Sequence, residues 1–353
     1  MRWLLVVVLV FAPHAVRADD TDDVDAAGDV SPARRAAAVA LAVVPGFVLH
    51  GTGSWIVREK KPAKTLVEVE LVGLAGIAAG GLLVGGTGGN PYTIWPGVPI
   101  LLAGSGLFFT SWATDIWVAA GGSRIEAASR ALAPWSVEAG TTWQHDAYRN
   151  RALLRGGGHL ELGRVRVGAL ALIDAGGAAK LGEGDVRVRI FGAPATGEVI
   201  GDGSRLLARV GGRVHRDDDD EMTQIVGELE VIGRLDLARL DAAFAPSFVE
   251  ASTGVGVARV AYERMETEIA SELLGTFGWG VYLGTRGEAM LFYDHRRDGL
   301  VGGLPAWRAS GFVGSLGARA DVRVYGPWAL HAELGVGNAW VSTLAIAYRG
   351  GAQ

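Results

Sequence analysis

The chain has 353 residues, 49% of them hydrophobic and 20% charged, with a formal charge of −5 and a mean hydropathy of +0.25. It is more apolar than an ordinary soluble enzyme, and its modest, mixed charge supplies no basic field for phosphate contacts, so nucleic-acid binding is set aside. With no cysteine, disulfides, thiolate catalysis, zinc–thiolate sites and an acylated lipoprotein cysteine are excluded together.

Residues 1–18 read as a signal peptide: Met1-Arg2, an apolar run from Trp3 to Phe11, and the small-residue site Val16-Arg17-Ala18. Cleavage is expected after Ala18. Residues 19–34, opening Asp19-Asp20-Thr21-Asp22-Asp23, form an acidic leader with almost nothing to bury.

Residues 35–121 form a hydrophobic, glycine-rich helical region. Ala36–His50, broken at Pro45-Gly46, then Leu66–Val84 and Val98–Ala120 have the length and the alanine and leucine content of helices. The connection Gly85–Pro96 cannot continue a helix, so the last two form a hairpin. Gly76 with Gly80, and Gly81 with Gly85, recur four apart and are expected to be the helix-packing strip; Gly104 and Gly106 lie in the second arm. Pro45-Gly46-Phe47-Val48-Leu49-His50-Gly51-Thr52-Gly53 resembles the Pro-Gly-x-Gly-His/Gln motif that precedes glycine-rich hairpins in several small bacterial membrane-protein families of undefined activity. His50 is expected to be a packed side chain. The hairpin is expected to pack on the following domain or lie at a membrane surface.

Residues 134–350 alternate at period two. Val186-Arg187-Val188-Arg189-Ile190, Glu228-Leu229-Glu230-Val231 and Arg319-Ala320-Asp321-Val322-Arg323-Val324 read as strands with one apolar and one charged face. Turn signals at Gly156–Gly158, Gly176-Gly177, Gly201-Asp202-Gly203, Asp217–Asp220, Asp298-Gly299 and Gly302-Gly303 divide the region into about twelve strands. The fold class expected is mainly β, an antiparallel transmembrane β-barrel preceded by the helical hairpin.

On that reading Leu160, Leu162, Val165, Val167, Val186, Val188, Leu229, Val231, Val322 and Val324 face lipid. The lumen-facing charged candidates are His159, Glu161, Arg164, Arg166, Arg187, Arg189, Glu228, Glu230, Arg234, Asp236, Arg319, Asp321, Arg323, His331 and Glu333, since a charge at the bilayer midplane costs about 2–4 kcal/mol. Trp135, Trp143, Phe191, Phe277, Trp279, Tyr282, Phe292, Tyr293, Trp307, Tyr325, Trp328, Trp340 and Tyr348 recur near strand ends as an interfacial girdle would.

These strands with an export signal resemble the bacterial outer-membrane β-barrel proteins, and Trp340–Tyr348 resembles the aromatic-ended last strand that such proteins present to the outer-membrane assembly machinery. The resemblance implies an outer-membrane location, membrane lipid and that machinery as partners, and a structural, binding or narrow-pore role with a small solute or ion as ligand. No cofactor or metal is implied. The first alternative is a periplasmic β-sandwich anchored to the inner membrane by the hairpin; the second is a barrel-embedded hydrolase. For the hydrolase, His145-Asp146 and Asp294-His295 are the histidine–carboxylate pairs, but neighbours on a strand point to opposite faces and no serine motif accompanies them. The charged segments Val214–Glu221 and Asp294–Gly299 read as solvated loops, with cations or polyanionic lipid as the sharper alternative.

Overall fold

The computed structural model describes residues 30–351, apart from 89, 123–130, 148, 193–196, 199–202, 240–243, 245–246, 264–265, 284–285, 296–299 and 301–313. The cleavage site at Ala18, most of the acidic leader and Trp307 lie outside the described residues. The chain divides into two compact units, Met1–Glu126 with Leu240–Ser247, and Ala127–Arg239 with Phe248–Gln353.

The first unit is helical. Helix α1, Pro32–Val43, starts inside the stretch read as leader, because Ser31 caps it and Pro32 stands in its first turn. A single 3₁₀ turn, Pro45–Phe47, and the short α2, Thr52–Ile56, follow. Then come the long α3, Lys60–Gly85, and α4, Pro91–Ala119. The connection between them is shorter than expected: Asn90 caps α4 by accepting from the Tyr92 N–H at 3.0 Å, and Pro91 suits a first helical position. Ala38, Ala42 and Val43 of α1 pack with Ile116, Val118 and Ala119 of α4.

The α3–α4 hairpin closes along Gly73, Gly76 and Gly80. A Cβ on Gly76 would lie 2.8 Å from Gly104 Cα, one on Gly73 2.7 Å from the Phe108 nitrogen, and one on Gly80 would strike the Leu101 backbone. Gly81 and Gly85 meet nothing within 4 Å. The packing strip therefore runs through Gly73, Gly76 and Gly80 and leaves out Gly81 and Gly85, which sit about 100° further round the helix per residue.

The second unit is a barrel. Among the described residues twelve strands close in the order β10-β11-β12-β13-β14-β2-β3-β4-β5-β7-β8-β9, and every pair with a traced register is antiparallel. They are β2 Trp135–His145, β3 Asn150–Leu162, β4 Val165–Asp174, β5 Ala179–Phe191, β7 Arg205–Asp217, β8 Met222–Asp236, β9 Ser247–Tyr262, β10 Glu268–Tyr282, β11 Gly287–Asp294, β12 Ser315–Tyr325, β13 Trp328–Val336 and β14 Trp340–Gly350. A separate pair joins β1, Ala131–Leu132, to β6, Gly197–Glu198. One closed sheet is not a two-sheet sandwich, so the sandwich alternative is overturned.

The polarity of the barrel is inside out. Leu160, Leu162, Val167, Val186, Val188, Leu229, Val231 and Val324 are exposed, with Val165 and Val322 half-buried. Val210, Val255, Val257, Leu273, Leu344 and Ile346 join them on the outer face. An exterior of this kind is matched by hydrocarbon and not by water.

The aromatics fall into two populations. Trp135, Phe191, Tyr325, Trp328 and Tyr348 are exposed at one end of the barrel, and Trp143 and Trp340 at the other. Trp135 and Trp143 are eight residues apart on one strand, about 26 Å at 3.3 Å per residue, which strand tilt reduces to about 20 Å of height, near the depth of an apolar band. Trp279, Tyr282 and Tyr293 are buried, and Phe277 and Phe292 half-buried. Of these five, Tyr282 and Phe292 share the inward face of Glu272, Glu288 and Met290, whereas Phe277, Trp279 and Tyr293 stand on the opposite, outer face of β10 and β11, the face of Leu273 and Leu291.

Candidate functional site in the barrel lumen

In a closed barrel the buried face of each strand is the interior, and here that face carries charge. Strand β8 alternates strictly: Glu228, Glu230, Arg234 and Asp236 are buried while Leu229, Val231 and Leu235 are exposed. Burial of this much charge requires partners, and the barrel supplies them across strands.

The densest network centres on Arg234. Its guanidinium forks onto Glu288 of β11 at 2.6 and 2.9 Å, and its Nε donates to Glu250 of β9 at 2.9 Å. Arg319 of β12 donates to the other oxygen of Glu250 at 2.9 Å, and Arg205 approaches Glu250 at 3.8 Å. Arg234 and Glu288 are three strands apart round the barrel, as are Glu250 and Arg319. These contacts are therefore chords that reach across the wall, not rungs between neighbours.

A local feature of β10 permits the chords. Gly280 has no side chain, and the ring of Phe248 occupies the position a Cβ would take. Phe248 stacks on Tyr282 with centroids 4.6 Å apart, and the Arg234 guanidinium lies 4.0 Å above the Phe248 ring. Tyr282 donates its hydroxyl to Asp236.

Other chords lie to either side. Arg189 of β5 pairs with Glu161 of β3 at 3.2 Å over β4. Arg349 of β14 pairs with Asp321 of β12 over β13, where His331 stands 3.8 Å from both Asp321 and Glu333. Arg209 holds Glu228 at 2.5 Å and Glu230 at 3.2 Å, and Ser252 donates to Glu230 at 2.5 Å. Arg187 pairs with Asp185 at 2.7 Å and Arg155 with Glu138 at 2.7 Å. At the rim Arg151 grips Asp217 at 2.5 Å and Asp219 at 2.8 Å, with Arg149 on Asp217 at 3.1 Å. The segment Val214–Glu221 is thus tied down at Asp217, not simply solvated.

Two arginines stand apart. Arg166 lies among Arg187, Glu161, Asp185 and Asp321 without a hydrogen bond to any of them. Arg213 is buried, and among the described residues its guanidinium makes no ion pair with a carboxylate; its Nε has no partner, as is also true of Arg205 and Arg209.

Of the residues singled out from the sequence, Arg164 differs most. It is exposed in the two-residue turn between β3 and β4, where Gly163 at φ 63° supplies the first position of a type II′ turn. Arg323 is half-buried near the end of β12, where the register slips between Arg323 and Tyr325. His159 is half-buried, its Nδ1 2.7 Å from Ser136 Oγ, and its ring also reaches the main chain of Ala133 in place of a carboxylate. The pairing of that serine and histidine therefore lacks the orienting acid of a hydrolytic triad. His145 bonds to Asn150, and His295 meets the Tyr293 hydroxyl at 2.8 Å. Among the described residues no three His, Asp or Glu side chains gather as a metal site.

Sequence reading missed Glu138, Arg155, Asp185, Arg205, Arg209, Arg213, Glu250, Glu272 and Glu288, all buried or half-buried. Arg205 and Glu272 stand between serine and leucine, and the others have glycine or alanine on at least one side, where alternation shows a face less clearly.

No protein-family model matches the chain, and no curated protein matches it. Among solved structures, the chain is similar to KdgM porin in complex with disordered oligogalacturonate, at 7% identity, covering 60% of this chain and 98% of that one with a TM-score of 0.39. It is also similar to the translocator domain of autotransporter NalP from Neisseria meningitidis, at 11% identity over 61% and 88% with a TM-score of 0.34. The β domain of the Bordetella autotransporter BrkA follows, at 14% identity over 62% and 99% with a TM-score of 0.31. At these levels the likeness transfers no activity and no residue role.

Proposed function

We propose that the chain is an outer-membrane barrel of a Gram-negative bacterium whose lumen is closed or narrowed by its own ion pairs, with a structural or binding role or a slender path for a small solute or ion. The lipid-facing exterior supports the membrane; the girdles support the depth. The aromatic end of β14 supports assembly by the outer-membrane machinery. One observation carries the lumen reading: Arg234–Glu288 and Arg319–Glu250 bridge strands that are not neighbours. About twelve strands leave a lumen that side chains largely fill, whereas about sixteen or more are usual for a wide aqueous channel.

Planar-bilayer recording tests the reading. The wild-type barrel is expected to give no current or a small one, and Glu288→Ala, which removes the carboxylate that Arg234 forks onto, is expected to raise it. A steady wild-type current as large as that of a wide, water-filled porin would overturn the narrowed lumen.

A further inference from the structure

The helical unit is also inside out, and it holds a polar loop at a depth that water does not explain. Residues 71–114, from the middle of α3 through the hairpin turn to the last turns of α4, contain no Asp, Glu, Lys or Arg. Pro62–Gly85 and Pro96–Ala119 are each 24 residues of high hydropathy, about 36 Å of helix against a hydrocarbon core of about 30 Å. Leu71, Val72, Leu74 and Leu82 point outward on α3, as do Val44, Val48, Leu49 and Trp55 on the segment before it.

The charge of the unit collects at one end. Arg34 donates to the Ile56 carbonyl at 2.7 Å and Arg35 to the Ala120 carbonyl at 3.4 Å, which brings both to the level where α2 ends and α4 finishes. Arg58, Lys60 and Lys64 follow at the start of α3. That end complements an anionic headgroup layer, and the uncharged hairpin tip is suited to crossing the core.

The loop 44–53 turns back into the apolar zone. Phe47 packs edge-on against Phe108 and Trp112 of α4, and His50 Nδ1 lies 2.6 Å from Ser111 Oγ. Phe108 stands twelve residues before Ala120, about 18 Å along the helix. Irregular backbone at such a depth needs internal partners for its N–H groups. Two buried carboxylates supply them: Glu70 accepts from the His50 N–H at 2.9 Å, and Asp115 accepts from the Gly53 and Ser54 N–H groups at 3.0 and 2.7 Å and from the Ser54 hydroxyl at 2.6 Å. A carboxylate inside an apolar span is costly unless it has such work.

We infer that the helical unit is a second membrane module: the α3–α4 hairpin spans a lipid bilayer with its basic end at anionic headgroups, and the segment 44–53 enters the same bilayer as a re-entrant loop held by Glu70 and Asp115. Pro32 and Ala120 then lie on the same side of that bilayer. The inference is independent of whether the lumen conducts.

The chain has no cysteine, so single spin labels at Val72→Cys, Val48→Cys and Lys64→Cys report position directly in the full-length protein in phosphatidylethanolamine–phosphatidylglycerol vesicles. All three side chains are well exposed, Val48 at 77%, and a heat-shifted gel band for each variant confirms that the barrel has formed. Val72 and Val48 are expected to collide several-fold more with oxygen than with a water-soluble nickel chelate, and Lys64 the reverse. Nickel access at Val72 and Val48 equal to that at Lys64 would overturn the inference. So would shielding from both reagents, which would mean that protein covers this face; nickel access at Val48 alone would remove the re-entrant loop.

Discussion

At Gly280 the absence of one methyl group opens the room in which Phe248, Tyr282 and Arg234 stack. Gly280→Val is therefore expected to displace the Phe248 ring and loosen the Arg234 fork, lowering the urea midpoint of the heat-shifted band, while Gly182→Val, where nothing lies within 4 Å, leaves it unchanged. Equal midpoints for the two variants would contradict the packing argument. Arg209 and Arg213 offer a second contrast, on one strand and one face. Removing Arg209 takes away the guanidinium that Glu228 and Glu230 share, so Arg209→Met is expected to cost about 3–5 kcal/mol, as breaking a buried pair does; Arg213→Met, at a buried side chain with no ion pair to a carboxylate among the described residues, is expected to leave stability unchanged or raise it. Urea titration of the folded band reads both. The facing of Arg187, Arg189 and Glu230 was legible in the sequence because each sits between β-branched or leucine neighbours, and Glu228 follows from Glu230 two residues on. Arg164 was not, since the same alternation continues through a tight turn that only the positive φ of Gly163 reveals.

Between elements, register and helix phase decide what the sequence hides. Arg234 and Glu288 are 54 residues apart and meet only because three strand offsets add up to the right height. Period two assigns a side chain to a face, but it carries no information about the level at which that face meets a partner three strands away. Helix phase misled in the same way: spacing by four picks out Gly76 with Gly80 and equally Gly81 with Gly85, and only the position of α4 chooses between them. Gly80→Leu is expected to push the Leu101 backbone away and separate the hairpin, and Gly81→Leu to be tolerated; the distance between spin labels at the exposed positions Val72→Cys on α3 and Ile100→Cys on α4 reports hairpin closure, and a longer distance in both variants or in neither would refute the assigned strip. Asp115 was hidden for another reason, because its three donors come from the first turn of α2, about sixty residues earlier. Asp115→Ala leaves buried N–H groups without acceptors, at about 1–3 kcal/mol each, and is expected to expose the segment 44–53 to protease while the barrel keeps its heat-shifted mobility.

For the whole molecule, both units invert the usual polarity, with apolar side chains outside and charge within. Composition alone hinted at an apolar exterior through a positive mean hydropathy and a charged share of 20%, below the roughly 25% of ordinary globular domains; where the charges gather is shown by the structure. The barrel gathers them in its lumen as Arg234–Glu288, Arg319–Glu250, Arg189–Glu161 and Arg151–Asp217, and the helical unit buries two of its carboxylates, Glu70 and Asp115, against residues 50–54. Membrane fractionation followed by electrophoresis of boiled and unboiled sample addresses the central claim most directly. A closed, lipid-facing barrel predicts an outer-membrane band whose unboiled form migrates differently from the boiled one; a band in the inner membrane or in the soluble fraction, with the same mobility before and after boiling, would contradict it.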